Sequence, residues 1–129
     1  MPNLYRVPII ASVGEGSSLT FLTHAGDISI ERVLISVDGA RSYRNRAIGE
    51  DQAVIYWSLT RGLTIIGSGV VNLRADRPVE ATGPFEPVAD SRTPLAFTAT
   101  FKDGPGPSQL IPTGMTVHFT AYTLAQAVP

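Results

Sequence analysis

The chain has 129 residues, no cysteine, and a formal net charge of -1 from 10 basic and 11 acidic residues. That length suits one domain, able to bury roughly two-thirds of its unfolded surface without staples. The missing cysteines exclude disulfides, thiolate metal sites and cysteine nucleophiles, and the near-neutral charge speaks against general nucleic-acid binding, which draws its affinity from clustered positive charge on phosphates.

Met1–Arg6 lacks the basic start and long apolar run of a signal peptide, and apolar runs such as Val33-Leu34-Ile35 are far too short to span a bilayer. A soluble protein kept or assembled in the cytoplasm, with no membrane partner, is the expectation. Leu4 to Val13 is extended and contains Pro8. Proline has no amide to donate, so this segment belongs at a sheet edge or in an arm outside the sheet. Gly14-Glu15-Gly16 reads as a flexible joint, dividing the chain into an arm with its joint (1–16) and a β-sandwich domain (17–129). The same stretch superficially resembles a phosphate loop, but it lacks the lysine and the following helix that such a loop needs.

Ser18 to Leu22 reads as a short strand. Asp27 to Asp38 alternates in two phases: Ile28 and Ile30 are in step, while Val33, Ile35 and Val37 are one residue out. An extra residue near Glu31-Arg32 restores a common inward face, as a β-bulge does. Arg41, Arg44 and Arg46, beside Tyr43, form the one basic patch. It fits a solvated tip, pairing with Glu50 and Asp51, or docking onto an acidic protein surface.

Ala53 to Leu59 puts Ile55, Trp57 and Leu59 on one face and leads through Thr60-Arg61-Gly62 into Leu63–Leu73, a hairpin pattern. In the second arm Leu63, Ile65, Gly67, Gly69, Val71 and Leu73 are expected to share a face, with room at the two glycines for a bulge, a bend or another backbone. Leu95 to Lys102 and Met115 to Thr123 alternate most clearly. They turn Leu95, Phe97, Ala99 and Phe101, and Met115, Val117, Phe119 and Ala121, inward. Arg74–Pro94 and Asp103–Gly114 are rich in proline and glycine yet carry Phe85, Val88, Leu110 and Ile111, which must pack on the domain's own flank or on a neighbour. Seven or eight strands at regular spacing predict an all-β fold, an antiparallel sandwich or a jelly-roll-like barrel.

Candidate chemistry is sparse. His118 alternates with Thr116, Thr120 and Tyr122 and so faces outward. A Ser–His–Asp set meets in space rather than along the chain, but no Gly-x-Ser-x-Gly elbow is present, and Ser68 of Gly67-Ser68-Gly69 lies mid-strand. A surface or interface histidine is the plainer reading. His24, Asp27 and Glu31 match no standard zinc or calcium spacing, so neither metal nor cofactor is expected. The outward Thr98, Thr100, Thr116 and Thr120 suit a wet strand face. A sugar-binding face there would need exposed aromatics, for which Tyr56 and Tyr122 remain.

The short cysteine-free chain, the extended Pro2–Val13, the strand alternation and the two proline/glycine loops together resemble the head decoration (cement) proteins of tailed bacteriophages. The resemblance spans the chain but rests on no shared motif, so no residue is carried over from the family. It implies a non-enzymatic virion protein, assembled in the host cytoplasm, that binds the major capsid protein or another virion protein as a homo-oligomer, in the first instance a trimer. Partner contacts would then fall to Leu4, Tyr5, Val7 and Ile9 on the arm, to Arg41, Arg44 and Arg46, and to Phe85, Val88, Leu110 and Ile111. Adhesin-like and carbohydrate-binding sandwiches share the same outline.

Overall fold

The computed structural model describes residues 4–23, 26–39, 53–73, 77–82, 84–89, 93–104 and 106–126. Among these residues eight strands appear in chain order: β1 Leu4–Val13, β2 Leu19–Leu22, β3 Ile28–Asp38, β4 Ala53–Arg61, β5 Thr64–Asn72, β6 Val79–Thr82, β7 Leu95–Asp103 and β8 Thr116–Gln126. They form two antiparallel sheets, ordered β1-β8-β3-β6 and β2-β7-β4-β5. The pairs β1·β8, β2·β7, β3·β6 and β4·β5 are nested, first with last and then inward. A long double-stranded ribbon wrapped across two sheets is the jelly roll. The chain is thus an antiparallel sandwich of two sheets, wound as a jelly roll.

The core follows the alternation. Leu95, Phe97, Ala99 and Phe101 of β7, and Val117, Phe119 and Ala121 of β8, are all buried, as are Ile55, Trp57 and Leu59 of β4. Phe97 and Phe119, one from each sheet, meet with ring centroids 4.7 Å apart, and Trp57 lies 6.4 Å from Phe119. Aromatic contacts of this kind lock the two sheets in relative position. The bulge expected on β3 is present: the register with β8 shifts between Ile30 and Arg32. Ile28, Ile30, Val33 and Ile35 thereby all point inward.

Four expectations change. The proline-bearing segment is an edge strand: β1 pairs with β8 from Leu4 to Val13, and Ala11 and Val13 belong to the core. An edge tolerates Pro8 because one side of the strand needs no donor, so residues 4–13 are part of the sandwich rather than a separate arm. The glycine joint is tied down as well, since the Gly16 N–H donates to the Ile111 carbonyl (2.9 Å) and Thr113 donates to Glu15 (2.8 Å).

On β5 the phase differs from the expected one. The register with β4 slips between Leu59 and Thr60, which inserts Ile66 as an extra residue. Ile66 is buried while Leu63 and Ile65 are exposed. The gaps at the two glycines are filled by aromatic rings: a Cβ on Gly67 would lie 2.6 Å from Phe85, and one on Gly69 would lie 2.8 Å from the Trp57 Nε1. Finally, the long 74–94 connection contains β6, whose Val79 and Ala81 pack on the core beside β3.

Candidate functional site

The two outer faces of the sandwich differ in chemistry, and each arises from the residues that alternate with the core. On the β1-β8-β3-β6 sheet most outward positions carry charge or hydrogen-bonding groups, with Ile10, 66% exposed, and Leu34 as apolar exceptions. Arg32 on β3 stacks over the Tyr122 ring, 4.6 Å to its centroid, and pairs with Glu80 on β6 at 3.3 Å. Ser12, His118 and Ser36 lie abreast on β1, β8 and β3. The Ser12 Oγ is 3.0 Å from the His118 Nδ1, and the His118 Nε2 is 2.7 Å from the Asp38 Oδ2. In the tautomer whose Nε2–H donates to the Asp38 carboxylate, Nδ1 is left as an acceptor for the Ser12 hydroxyl.

The order serine, histidine, carboxylate is that of a serine relay, but with the two ring nitrogens exchanged, the serine on Nδ1 and the carboxylate on Nε2; the fold brings together three residues that are far apart in the chain. Among the described residues the surroundings do not complete such a site. Asp38 keeps 78% of its side chain in water, and His118 sits on a strand paired on both sides, whose backbone amides are taken up by the ladders. Stabilising an oxyanion requires free donors in a shielded site. As built, the chain of hydrogen bonds stitches β1, β8 and β3 together across an open face. Among the described residues no group of three or more His, Asp or Glu side chains is placed to hold a metal ion. His24 lies outside the described residues.

The β2-β7-β4-β5 face is of another kind. Its rows, read across the strands from the register, are Phe21-Ala96-Thr60-Ile65, then Leu19-Thr98-Ser58-Ser68, then Thr100-Tyr56-Val70, then Lys102-Val54-Asn72. Lys102, in the last row, is the one charged residue in these four rows. Phe21 is 64% exposed, Ile65 62%, Val70 55%, Leu19 43% and Tyr56 39%. Together those five side chains leave roughly 500 Å² of mostly apolar surface in water, divided between Leu19 and Phe21 on β2 and Tyr56, Ile65 and Val70 on β4 and β5. The relief is uneven. Phe21 and Leu19 stand up on β2, while Ala96, Thr98, Thr60 and Ser58 form a shallow trough on β7 and β4.

The residues expected to grip a partner fall out differently. Val88 and Ile111 are buried in the chain's own core, and Ile9 and Phe85 pack against it. The physical reason is that the sandwich has open flanks that the two loops must close. Val88 exchanges backbone hydrogen bonds with Ile28, at 2.8 and 3.0 Å, while the Glu86 N–H reaches the Ile66 carbonyl (3.3 Å), strapping one sheet to the other. Gln109 does the same for Phe101 on β7, at 2.9 and 2.8 Å, beyond the end of the short β2. Leu110 remains exposed at 53%. Leu4, Tyr5 and Val7 are placed along β1 opposite Gln126, Ala125 and Thr123. Arg41, Arg44 and Arg46 lie outside the described residues. The β2-β7-β4-β5 face is not among the partner contacts that the sequence suggests, although its Thr98, Thr100 and Tyr56 belong to the candidate sugar-binding set.

Among the described residues no helix is long and apolar enough to cross a membrane. No protein-family model matches the sequence, and no curated protein is detectably similar to it.

Proposed function

We propose that this chain is a non-enzymatic structural protein that works by surface contact, as a homo-oligomeric component of a virion that binds and stabilises a capsid lattice. The jelly roll alone does not select this reading, because the fold serves capsid subunits, lectins and cupins alike. The observation that carries it is the β2-β7-β4-β5 face, which exposes Phe21, Ile65 and Val70 with one charged residue, Lys102, across its four rows. A surface of that composition gains free energy by leaving water against another protein. The charged and hydrogen-bonded face opposite gains little from the same move.

The test is where the chain resides. Density-gradient fractions from its natural source, assayed by the chain's tryptic peptides, should place it with large particles. Residence only among free proteins would refute the reading.

A second reading rests on Tyr56. It is exposed between Thr100 and Val70, with Ser58 on the same strand face, an arrangement that offers a sugar ring one stacking surface and nearby hydroxyls. A glycan array would register binding that Tyr56→Ala abolishes.

A further inference from the structure

The hydrogen-bonded set on the β1-β8-β3-β6 face has a use independent of any capsid contact. From Ser12, His118 and Asp38 we infer that Ser12 is an acyl-acceptor site, a hydroxyl that takes the acyl group of an activated ester once and keeps it. Ser12 and His118 are cross-strand partners on β1 and β8, so their side chains leave the ladder on the same side. Asp38 lies opposite Thr116, two residues along β8 from His118, and meets the ring on the diagonal. The Thr20 hydroxyl donates to the Ser12 carbonyl at 2.7 Å, tying the backbone of the serine to β2 as well.

Both nitrogens of the ring are engaged, Nε2 with Asp38 at 2.7 Å and Nδ1 with Ser12 at 3.0 Å, so the base is held toward the hydroxyl. A base beside a hydroxyl, oriented in turn by a third group, is the general arrangement that activates a nucleophile. Exchanging the two nitrogens does not remove it, because either ring nitrogen accepts a proton when the other carries one. Access is open too. Ser12 is exposed and His118 keeps 38% of its side chain in water, so a small ester reaches the hydroxyl from outside.

In the transfer, the Ser12 Oγ forms a bond to the acyl carbon while its proton passes to the His118 Nδ1. The bond from the acyl carbon to the leaving oxygen then breaks, and the proton moves from the ring to that oxygen, so the products are a serine ester and a free alcohol. Asp38 stays ionised throughout and opposes the positive charge that the ring carries between the two proton moves. The amides of β8 are taken up by the ladders on both sides, so they give the tetrahedral oxyanion no help. That restricts the donor to esters with a good leaving group. It also makes hydrolysis of the serine ester slow, so the event is one lasting modification rather than turnover.

The experiment treats the full chain with p-nitrophenyl acetate in mildly alkaline buffer and maps the acetyl group by tandem mass spectrometry. Only acetyl that neutral hydroxylamine removes is counted, which separates esters from acetylated amines. Ser12→Ala, His118→Gln, Asp38→Ala and Asp38→Glu accompany it, each verified as folded by far-UV circular dichroism. The ester should form at Ser12 and be missing from Ser12→Ala. His118→Gln, which keeps a polar side chain but no base, should slow acetylation at Ser12 by about tenfold or more. Asp38→Ala should slow it by less, and Asp38→Glu should restore part of the rate, as expected of a residue that positions the ring. Acetyl found on Ser36, abreast of His118 on β3, or spread evenly over the exposed hydroxyls overturns the inference. So does a Ser12 that reacts equally fast in His118→Gln.

Discussion

Gly69 offers a sharp test of the packing, because its consequence is steric alone. Its φ is not positive, so the backbone accepts any residue. What stands in the way is the Trp57 indole, directly across the ladder: a Cβ at position 69 would lie 2.8 Å from Nε1 and 3.1 Å from Cε2 and Cζ2. Trp57 is 4% exposed and faces Phe119, so the ring has no solvent to move into and must press on the core. Overpacking of this kind costs about 1–3 kcal/mol. Against it, Gly→Ala gains about 0.4–1 kcal/mol by restricting the unfolded chain. The net expectation for Gly69→Ala is a loss of about 1–2 kcal/mol, read as a lower urea midpoint at unchanged m-value. At about 4 °C per kcal/mol for a chain of this size, the melting temperature falls by roughly 4–8 °C. Combining Gly69→Ala with Trp57→Phe should recover part of the loss in a double-mutant cycle, since the smaller ring leaves room. A Gly69→Ala protein as stable as the parent, or more so, would refute the placement of the indole over that glycine.

Other substitutions probe neighbouring parts of the argument by the same denaturation assay. Trp57→Ala should cost about 3–5 kcal/mol, and an unchanged midpoint would mean that the inward face of β4 is wrongly assigned. Adjacent residues in one loop should behave oppositely: Ile111→Ala should lose about 2–5 kcal/mol, while Leu110→Ala stays within about 0.5 kcal/mol of the parent. Gly39→Ala should cost more than about 2 kcal/mol, because its φ of 79° disfavours a side chain and a Cβ there collides with the Gly114 carbonyl. His118→Ala removes hydrogen bonds on a wet face and should cost about 1 kcal/mol or less; a loss above about 3 kcal/mol would show that the Ser12–His118–Asp38 chain is shielded from water after all.

Much of the sandwich was legible because two-residue periodicity is a direct image of a half-buried strand. The bulge on β3 was readable for the same reason, since Ile28 and Ile30 fall out of step with Val33, Ile35 and Val37 and only an extra residue reconciles them. The bulge on β5 was not. Ile65 and Ile66 are consecutive isoleucines, either phase finds an apolar residue to bury, and Gly67 and Gly69, both in step with Ile65, carry no side chain to decide between them. Val88 and Ile111 sit singly among prolines and glycines, where no period exists to say whether an apolar residue closes its own flank or a neighbour's. The Ser12–His118–Asp38 chain depends on the registers of β1 and β3 against β8, which no local pattern encodes. Likewise the β2-β7-β4-β5 face, with Lys102 as the one charge in its four rows, becomes visible only when β2 and β5, at opposite edges of the sheet, are laid on either side of β7 and β4.

The nesting of the strand pairs sets a timetable for the chain as it is made. Ser12 meets His118 across 106 residues, whereas Arg61 meets Thr64 across a tight turn, so loop-closure entropy favours the β4–β5 hairpin first and the most distant strands last. At about 5–20 residues per second, β1 leaves the ribosome on the order of 5–20 s before β8 exists to receive it. Throughout that interval an extended segment containing Val7, Ile9 and Ile10 has no mate, and Pro8 within it removes one of the amides through which a stray strand would attach. The same proline that marks β1 as an edge in the finished protein thus guards the segment while it waits.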